Sequence, residues 1–436
     1  MLKFTDNVIA QMTLACNKNC KYCYEHYNGN NLQDKTPMNF ETFKKYFDYY
    51  IYNRCVLGSR ENTAIWHFHG GEIFLIPWKE LRKMIAYIEE RATYFPNVDY
   101  CFQTNGTLVT DEIAFFLKSR EKMLGFSFDS FDSDDRGTKE ENEALMNHIK
   151  GLRERTGVHC SYISVISKKN MRTWIRDWNR VSSVCDELGL NSLCDITDNY
   201  TLTGEETWNY WFKPVLESMT TDHPIPERNV KFMVNHLVSS LFFRIVSSEV
   251  PYKSGCFNRR CAHGSNMTSL TSGGVMAPCD KFLESGEFES KRKKISIYTP
   301  DFLGLQNVNY VYHFCKDLFE EENQVGCDKC PANNYCIGDC QSYNISRYGK
   351  VKLSSDMCFA YKNIYSFVVS HIRELVLAKR EFGIDTEYLK SMRDLTPFGA
   401  EFLKKNPDIY IKVDDRSLYF LKDDTLKKGE NDDFCM

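Results

Sequence analysis

Apolar runs and helical periodicities alternate along the first half of the chain with little between them. Short runs enriched in β-branched and aromatic residues recur at 8–14, 64–68, 100–103, 125–128, 159–166 and 192–196. Stretches with apolar residues at helical spacing lie between them, at 40–54, 78–91, 111–118, 141–155 and 172–188. Such alternation predicts about six βα units and a parallel sheet, either doubly wound or curled toward a barrel. In both arrangements ligands gather at the carboxyl ends of the strands. From about 200 to 250 the pattern is helical and aromatic, broken by Pro214, Pro224 and Pro226, and reads as a bridge. Cysteines dominate from about 251 to 375. The remainder, from about 376, reads as a helix followed by "IYIKVDDRSLYFL", a hairpin pattern.

The unusual loops of the first half each follow a strand. "CNKNCKYC" (Cys16, Cys20, Cys23) follows the first, "HGGE" (His69 to Glu72) the second, "QTNG" (Gln103 to Gly106) the third, and "SFDS" (Ser127 to Ser130) closes the fourth. Four polar or glycine-rich loops therefore converge on one rim. His67 and His69 alternate with Trp66 and Phe68 along one strand and read as packing or hydrogen-bonding residues.

Composition narrows the class. The chain has 436 residues, a formal charge of -4 and eighteen cysteines. That balance gives no polycationic surface for nucleic acid, and no run of about 18 apolar residues suggests a membrane span. The start lacks the order of a signal peptide, so the expectation is a cytoplasmic protein whose thiols are metal ligands rather than disulfides. Three thiols at CxxxCxxC leave one over after any disulfide, and a zinc site would need a fourth ligand, for which His26 is the local candidate. A four-iron cluster is the other solution: three corners held by one loop and the fourth iron open.

CxxxCxxC after the first strand, with Tyr22 before the last cysteine and a GGE loop after the second strand, resembles the radical S-adenosylmethionine (SAM) superfamily. The resemblance implies that Cys16, Cys20 and Cys23 hold a 4Fe-4S cluster whose open iron chelates S-adenosyl-L-methionine. Reductive cleavage of that cofactor then yields a 5'-deoxyadenosyl radical. Gly70, Gly71 and Glu72 would approach the methionine moiety, with Ile73 standing where the family often has proline. Gln103, Asn105, Ser127 and Asp129 would contact the ribose and carboxylate.

A second set of cysteines follows. Cys261 is separated from Gly274 by twelve residues and Gly274 from Cys279 by four; then come CxxCxxxxxCxxxC (Cys327, Cys330, Cys336, Cys340) and Cys358, with Cys256 upstream. Eight thiols equal two four-thiolate sites of zinc or of iron, and count alone does not choose. The spacing resembles the SPASM extension of radical SAM enzymes. By that resemblance Cys256, Cys261, Cys279 and Cys340 hold auxiliary cluster I, and Cys327, Cys330, Cys336 and Cys358 auxiliary cluster II. The cofactors implied are three 4Fe-4S clusters and S-adenosyl-L-methionine. Cys55, Cys101, Cys160, Cys185, Cys194, Cys315 and Cys435 fall outside both patterns, and most read as core thiols.

The expected architecture is a partial (β/α)6 TIM-like barrel over 1–200, a helical bridge over 201–250, a SPASM domain over 251–375 and a C-terminal extension over 376–436. The expected function is a peptide maturase. It would abstract hydrogen from a ribosomally made peptide and form a thioether or carbon-carbon crosslink, with a flavodoxin- or ferredoxin-type reductant as electron donor. The auxiliary clusters would offer a route for the second electron that such a crosslink removes. With the first strand starting near residue 8, leader recognition would fall to a separate leader-peptide-binding protein or to the C-terminal tail. Asp280, directly after Cys279, is the candidate base. The alternatives are a sulfatase-maturing enzyme that makes formylglycine and a zinc-stabilised adaptor without catalysis.

Overall fold

Residues 7–23, 25, 35–57, 64–95, 97–192, 199–217, 267–277, 279–283, 330, 340, 355–371, 374, 401, 404–405, 411–414, 417–422 and 425–428 are described by the computed structural model of the chain. Six parallel strands run in sequence order: β1 (Asn7–Gln11), β2 (Ala64–His69), β3 (Val98–Thr104), β4 (Leu124–Ser127), β5 (Cys160–Ile166) and β6 (Glu187–Ser192). Helices fill the crossovers: α1 (Phe40–Leu57), α2 (Trp78–Ala92), α3 (Asp111–Ser119), α4 (Lys139–Thr156) and α5 (Trp174–Val181). Beside β1 the sheet continues through β7 (Met267–Leu270), parallel to β1, and β8 (Met276–Ala277), antiparallel to β7. The order β6-β5-β4-β3-β2-β1 never reverses. This is the winding of a barrel wall; a doubly wound sheet would change direction midway.

Alternation along the strands explains how this sheet divides its two faces. In β2 the residues Ala64, Trp66 and Phe68 are fully buried, and Ile65, His67 and His69 between them are partly exposed. Because successive strand side chains point to opposite faces, the buried set meets α1. There Trp66 packs edge-on against Phe43 and Phe47, at centroid distances of 5.3 and 5.6 Å. Phe68 stacks on Phe102 of β3 at 4.8 Å, and Tyr162 of β5 lies 5.4 Å from Trp178 of α5. The other face carries Gln11, His67, His69, Cys101, Gln103, Ser127 and Ser161, in register across neighbouring strands. One face builds the core and the other is a polar surface available to chemistry.

Local signals set the helix ends. Thr110 caps α3 by accepting from Ile113 N. Thr138 and Glu141 form a reciprocal capping box at α4, and Gly157 closes that helix in the left-handed conformation with φ 69°.

The expected helix over 172–188 and strand over 192–196 are corrected. The helix ends at Val181 and the sixth strand begins at Glu187. Asp186 causes the earlier start: its backbone N–H donates to Cys160 O at 2.7 Å, while its carboxylate accepts from Cys160 N and from Arg153. Leu188, which continues the helical spacing, is a buried strand residue. Residues 193–196 lie outside the described residues.

The chain divides into two compact units: Met1–Thr203 with Ala262–Gln324 and Asp339–Ser354, and Gly204–Cys261 with Val325–Gly338 and Ser355–Met436. In the second unit a helix runs through Gly204–Thr207, a π-helical turn at Trp208–Phe212 and Lys213–Glu217, and it packs on the helix Ser355–Ser370 through Trp208–Phe367 and Phe212–Tyr361 ring contacts. The hairpin pattern near the end forms β9 (Ile411–Asp414) and β10 (Ser417–Lys422), antiparallel, with β11 (Thr425–Lys428) added to β10. No helix among the described residues is long and apolar enough to cross a membrane.

Phe47 is fully buried between α1 and the sheet, so Phe47→Ala should lower unfolding stability by about 3–5 kcal/mol, read from urea denaturation of the first unit's transition.

Candidate active site at the carboxyl ends of the strands

β1 runs into the three-cysteine loop, and β2 runs into Gly70 and Gly71. The two segments remain hydrogen-bonded past the ends of their strands: Met12 N donates to His69 O at 2.9 Å, Gly71 N to Thr13 O at 2.8 Å, and Glu72 N to Ala15 O at 2.8 Å. So close an approach excludes side chains. A Cβ at Gly70, whose φ is 129°, would collide with the Thr13 carbonyl, and one at Gly71 with the Ala15 carbonyl. The glycines make room for the backbone that carries Cys16.

Glu72 is fully buried. Its carboxylate accepts from Thr104 Oγ1 at 2.6 Å, Asn105 N at 2.7 Å and Phe74 N at 3.0 Å, which ties the second strand's loop to the third's. Burial raises its pKa, and these three donors work against the rise. Asn105 extends the tie: its Nδ2 donates to Asn17 Oδ1 at 2.7 Å and lies 3.9 Å from Cys16 Sγ. Gln103 Nε2 donates to Ser127 Oγ at 2.8 Å, so the predicted residues of the third and fourth strands meet side by side on the polar face.

The loop after β4 clamps the other half of the cysteine loop. Lys21 N donates to Asp135 O at 2.9 Å, and the Lys21 ammonium pairs with Asp134. Asp129, buried, accepts from Val165 N at 2.9 Å, from Arg136 Nε at 2.9 Å and from the Tyr22 hydroxyl. Arg136 Nη1 in turn donates to Cys20 Sγ at 3.9 Å. Burial raises the Cys20 thiol against the opposing charge of Arg136, and burial pushes Cys23 up to about 12. Sequence reasoning missed Arg136 and Thr104. The available signal for the first was a lone arginine closing the acidic run "DSFDSDDR".

A third polar group lies near the ends of β1 and β2. Gln11 Nε2 donates to Glu25 Oε1 at 3.0 Å, and burial, aided by the charge of Asp280, pushes the Glu25 carboxyl up to about 8. Asp280 opens a short helical turn, Asp280–Leu283, directly after buried Cys279. Its charge raises His67 and His69 against the lowering that burial imposes on both. His69 Nδ1 is buried without a hydrogen-bond partner among the described residues. His67 has partners on both nitrogens. Asn7 Oδ1 can only accept, so Nε2 at 3.1 Å carries the proton and Nδ1 receives the Cys101 thiol at 3.0 Å.

Gly274 occupies the β7–β8 turn with φ 81°, its N–H donating to Thr271 O. Its place between Cys261 and Cys279 therefore has a conformational reason. Cys330, Cys340 and Cys358 are half-buried. Cys256, Cys261, Cys327 and Cys336 lie outside the described residues, as does His26.

The donor set of the first loop fits a four-iron cluster. Cys16, Cys20 and Cys23 are half-buried free thiols, and two of their sulfurs already have N–H donors of the kind a thiolate attracts: Lys18 N and Asn105 Nδ2 at Cys16, Arg136 at Cys20. Among the described residues no three His, Cys, Asp or Glu could hold a single metal ion. Cluster ligands bind separate irons and need no such convergence.

Residues 11–177 match the Radical SAM superfamily. The serine-type anaerobic sulfatase-maturating enzyme of Bacteroides thetaiotaomicron is 27% identical over 164 residues, 36% of this chain and 38% of that enzyme, so the chain spans well under half of that relative. The radical SAM cyclopropyl synthase TigE of Paramaledivibacter caminithermalis is 21% identical over 373 residues, 80% of this chain and 70% of that protein. Among solved structures, native anSMEcpe with bound AdoMet and Cp18Cys peptide superposes with a TM-score of 0.63 at 18% identity, covering 86% of this chain and 99% of that one. That likeness is one of fold.

Two outcomes follow from these contacts. Glu72→Gln places an amide where three donors converge and should cost about 1–3 kcal/mol of stability, measured by denaturation. His67 is held down to about 4, chiefly by burial, against an ordinary 6.5. The folded state thus binds fewer protons than the unfolded one between those values, and stability is kept above pH 6.5 and lost as pH falls toward 4. Between pH 7 and pH 5, His67→Gln should therefore lose about 1–2 kcal/mol less than the parent protein in urea titrations.

Proposed function

From the premise that the chain carries a Radical SAM domain and is a radical SAM enzyme, we propose that it matures a ribosomally made peptide. The reaction would be a two-electron oxidation that joins two positions through a thioether or carbon-carbon bond. The observation that carries this reading is the splice of the cysteine loop onto the glycine loop, because it presents three thiols of one short segment at the ends of β1 to β4. When bound at Cys16, Cys20 and Cys23, a 4Fe-4S cluster with S-adenosyl-L-methionine supplies a 5'-deoxyadenosyl radical that abstracts hydrogen. Gly70, Gly71, Gln103, Asn105 and Ser127 would line the cofactor's place, with Glu72 and Asp129 fixing the backbone that does so. Asp280 would take the proton released as the new bond forms.

The breadth of the similarity favours crosslinking. The alignment with the cyclopropyl synthase spans 80% of this chain, and closing a cyclopropyl ring is itself carbon-carbon bond formation. Auxiliary clusters on Cys256, Cys261, Cys279 and Cys340, and on Cys327, Cys330, Cys336 and Cys358, would supply an acceptor for the second electron. The first leaves with the hydrogen atom taken by the 5'-deoxyadenosyl radical, and a flavodoxin- or ferredoxin-type protein would supply the separate electron that cleaves S-adenosylmethionine. A reducing cytoplasm suits such clusters, and the leader segment of the substrate would be read by a separate protein or by the C-terminal residues.

One observation favours a second reading, conversion of Cys or Ser to formylglycine in a sulfatase. The serine-type anaerobic sulfatase-maturating enzyme of Bacteroides thetaiotaomicron is among the relatives, at 27% identity over 164 residues, and Asp280, directly after Cys279, would be the base there as well.

Anaerobically reconstituted protein should contain about twelve irons per chain if all three clusters are present and should release 5'-deoxyadenosine from S-adenosylmethionine. Cys16→Ala, Cys20→Ala or Cys23→Ala should abolish that release. A short peptide encoded beside the gene should lose two hydrogens in mass spectrometry after incubation. Formylglycine in a sulfatase peptide would instead favour the second reading, and zinc without iron would sink both.

A further inference from the structure

Arg136 is an expensive residue to place where it stands. Its side chain is 19% exposed and that of its partner Asp129 3%, and taking such a pair out of water costs more than the attraction returns unless further hydrogen bonds are made. The guanidinium makes contacts in three directions, two of them hydrogen bonds. Nε donates to Asp129 Oδ2 at 2.9 Å, Nη1 donates to Cys20 Sγ at 3.9 Å, and the guanidinium carbon lies 5.5 Å from the Tyr22 ring centroid. Tyr22 donates its hydroxyl to the same carboxylate. The fork of an arginine can hold a carboxylate with one nitrogen and a sulfur with another, which the single ammonium of a lysine does less well.

Asp129 does not need this arginine for its own satisfaction, since Val165 N and Tyr22 already serve it. The carboxylate holds the arginine, and the arginine is aimed at Cys20.

The geometry points to Arg136 as the residue that sets the reduction potential of the cluster held by Cys16, Cys20 and Cys23, by fixing a positive, hydrogen-bonding group at the Cys20 sulfur. The inference rests on the reading of those cysteines as cluster ligands. Adding one electron from a low-potential protein donor makes an anionic cluster more negative. A cation beside one of its sulfurs stabilises the reduced form, and hydrogen bonds to cluster sulfurs act in the same direction. Asp129 tempers the effect, because its charge opposes that of Arg136.

The test is an EPR-monitored titration with dithionite on full-length protein reconstituted with iron and sulfide. It follows the signal that changes when S-adenosylmethionine is added, with the midpoint itself measured without it. Arg136→Gln should keep its iron and show a reduced-to-oxidised ratio about tenfold lower at a given potential, a midpoint about 59 mV more negative. Arg136→Lys, which retains charge, should stay within about threefold of the parent. Asp129→Asn should move the ratio upward. Opposite signs in the two neutralising variants are what a charge effect produces and general loosening does not.

An iron-replete Arg136→Gln with an unshifted midpoint overturns the inference, as do shifts of one sign in both variants. Should Arg136→Gln not retain iron, an upward shift in Asp129→Asn supports the inference and any other result ends it. If neither holds iron, both residues are structural and the inference falls. Parent protein without a reducible, S-adenosylmethionine-responsive signal would remove the cluster reading itself.

Discussion

Three backbone hydrogen bonds beyond the ends of β1 and β2 hold the rest of the site in place. Met12 to His69, Gly71 to Thr13 and Glu72 to Ala15 continue the parallel pairing into two loops that would otherwise diverge. The pairing is possible only because residues 70 and 71 have no side chains, since a Cβ at either would enter a carbonyl of the cysteine loop. Once the loops are joined, Glu72 is carried into the interior, where three donors from its own turn and from β3 close on its carboxylate. A charge placed there without those donors would cost several kcal/mol. The buried glutamate and the half-buried thiols are thus two ends of one arrangement.

The sheet explains why such an arrangement can be rigid. Its helix-facing side is packed with Trp66, Phe68, Phe102, Phe126 and Tyr162 against aromatic helices, and that side supplies the stability. The opposite side is free to hold groups that stability alone would not select. Among the described residues His69 leaves a buried nitrogen without a partner, and burial with the charge of Asp280 pushes the Glu25 carboxyl up to about 8. Polar strain of this kind concentrates where chemistry is done.

Most of the frame was legible in the sequence because it depends on period. Strands alternating buried and half-buried residues, and helices opened by Thr110 and Thr138, follow local rules, and five of the six strands appear within about two residues of expectation apart from the early end of β1. The sixth unit misled because Leu188 continues a helical spacing, while the deciding contact, Asp186 with Arg153 and Cys160, joins residues 26 and 33 apart. The same limit governed the site. Cysteine and glycine spacings are local and announced themselves; the bond from Arg136 to Cys20 spans 116 positions and leaves no periodic trace. The role of the glycines was legible only in part, since the sequence shows that a backbone must come close there but not that the approaching group is the chain itself.

The two clamps on the cysteine loop differ in kind, and the difference bears on how the site works. The clamp at Cys16 is made of neutral amides, Asn105 and the Lys18 backbone, and it fixes position with little effect on charge. The clamp at Cys20 is made of ions, Arg136 with Asp129 behind it, and it fixes charge as well as position. A loop that needed only to be held could have used amides at both ends at lower desolvation cost. Placing the ionic clamp at one thiol alone makes the environment of the three sulfurs unequal, so negative charge on a group held by this loop would be favoured on the Cys20 side.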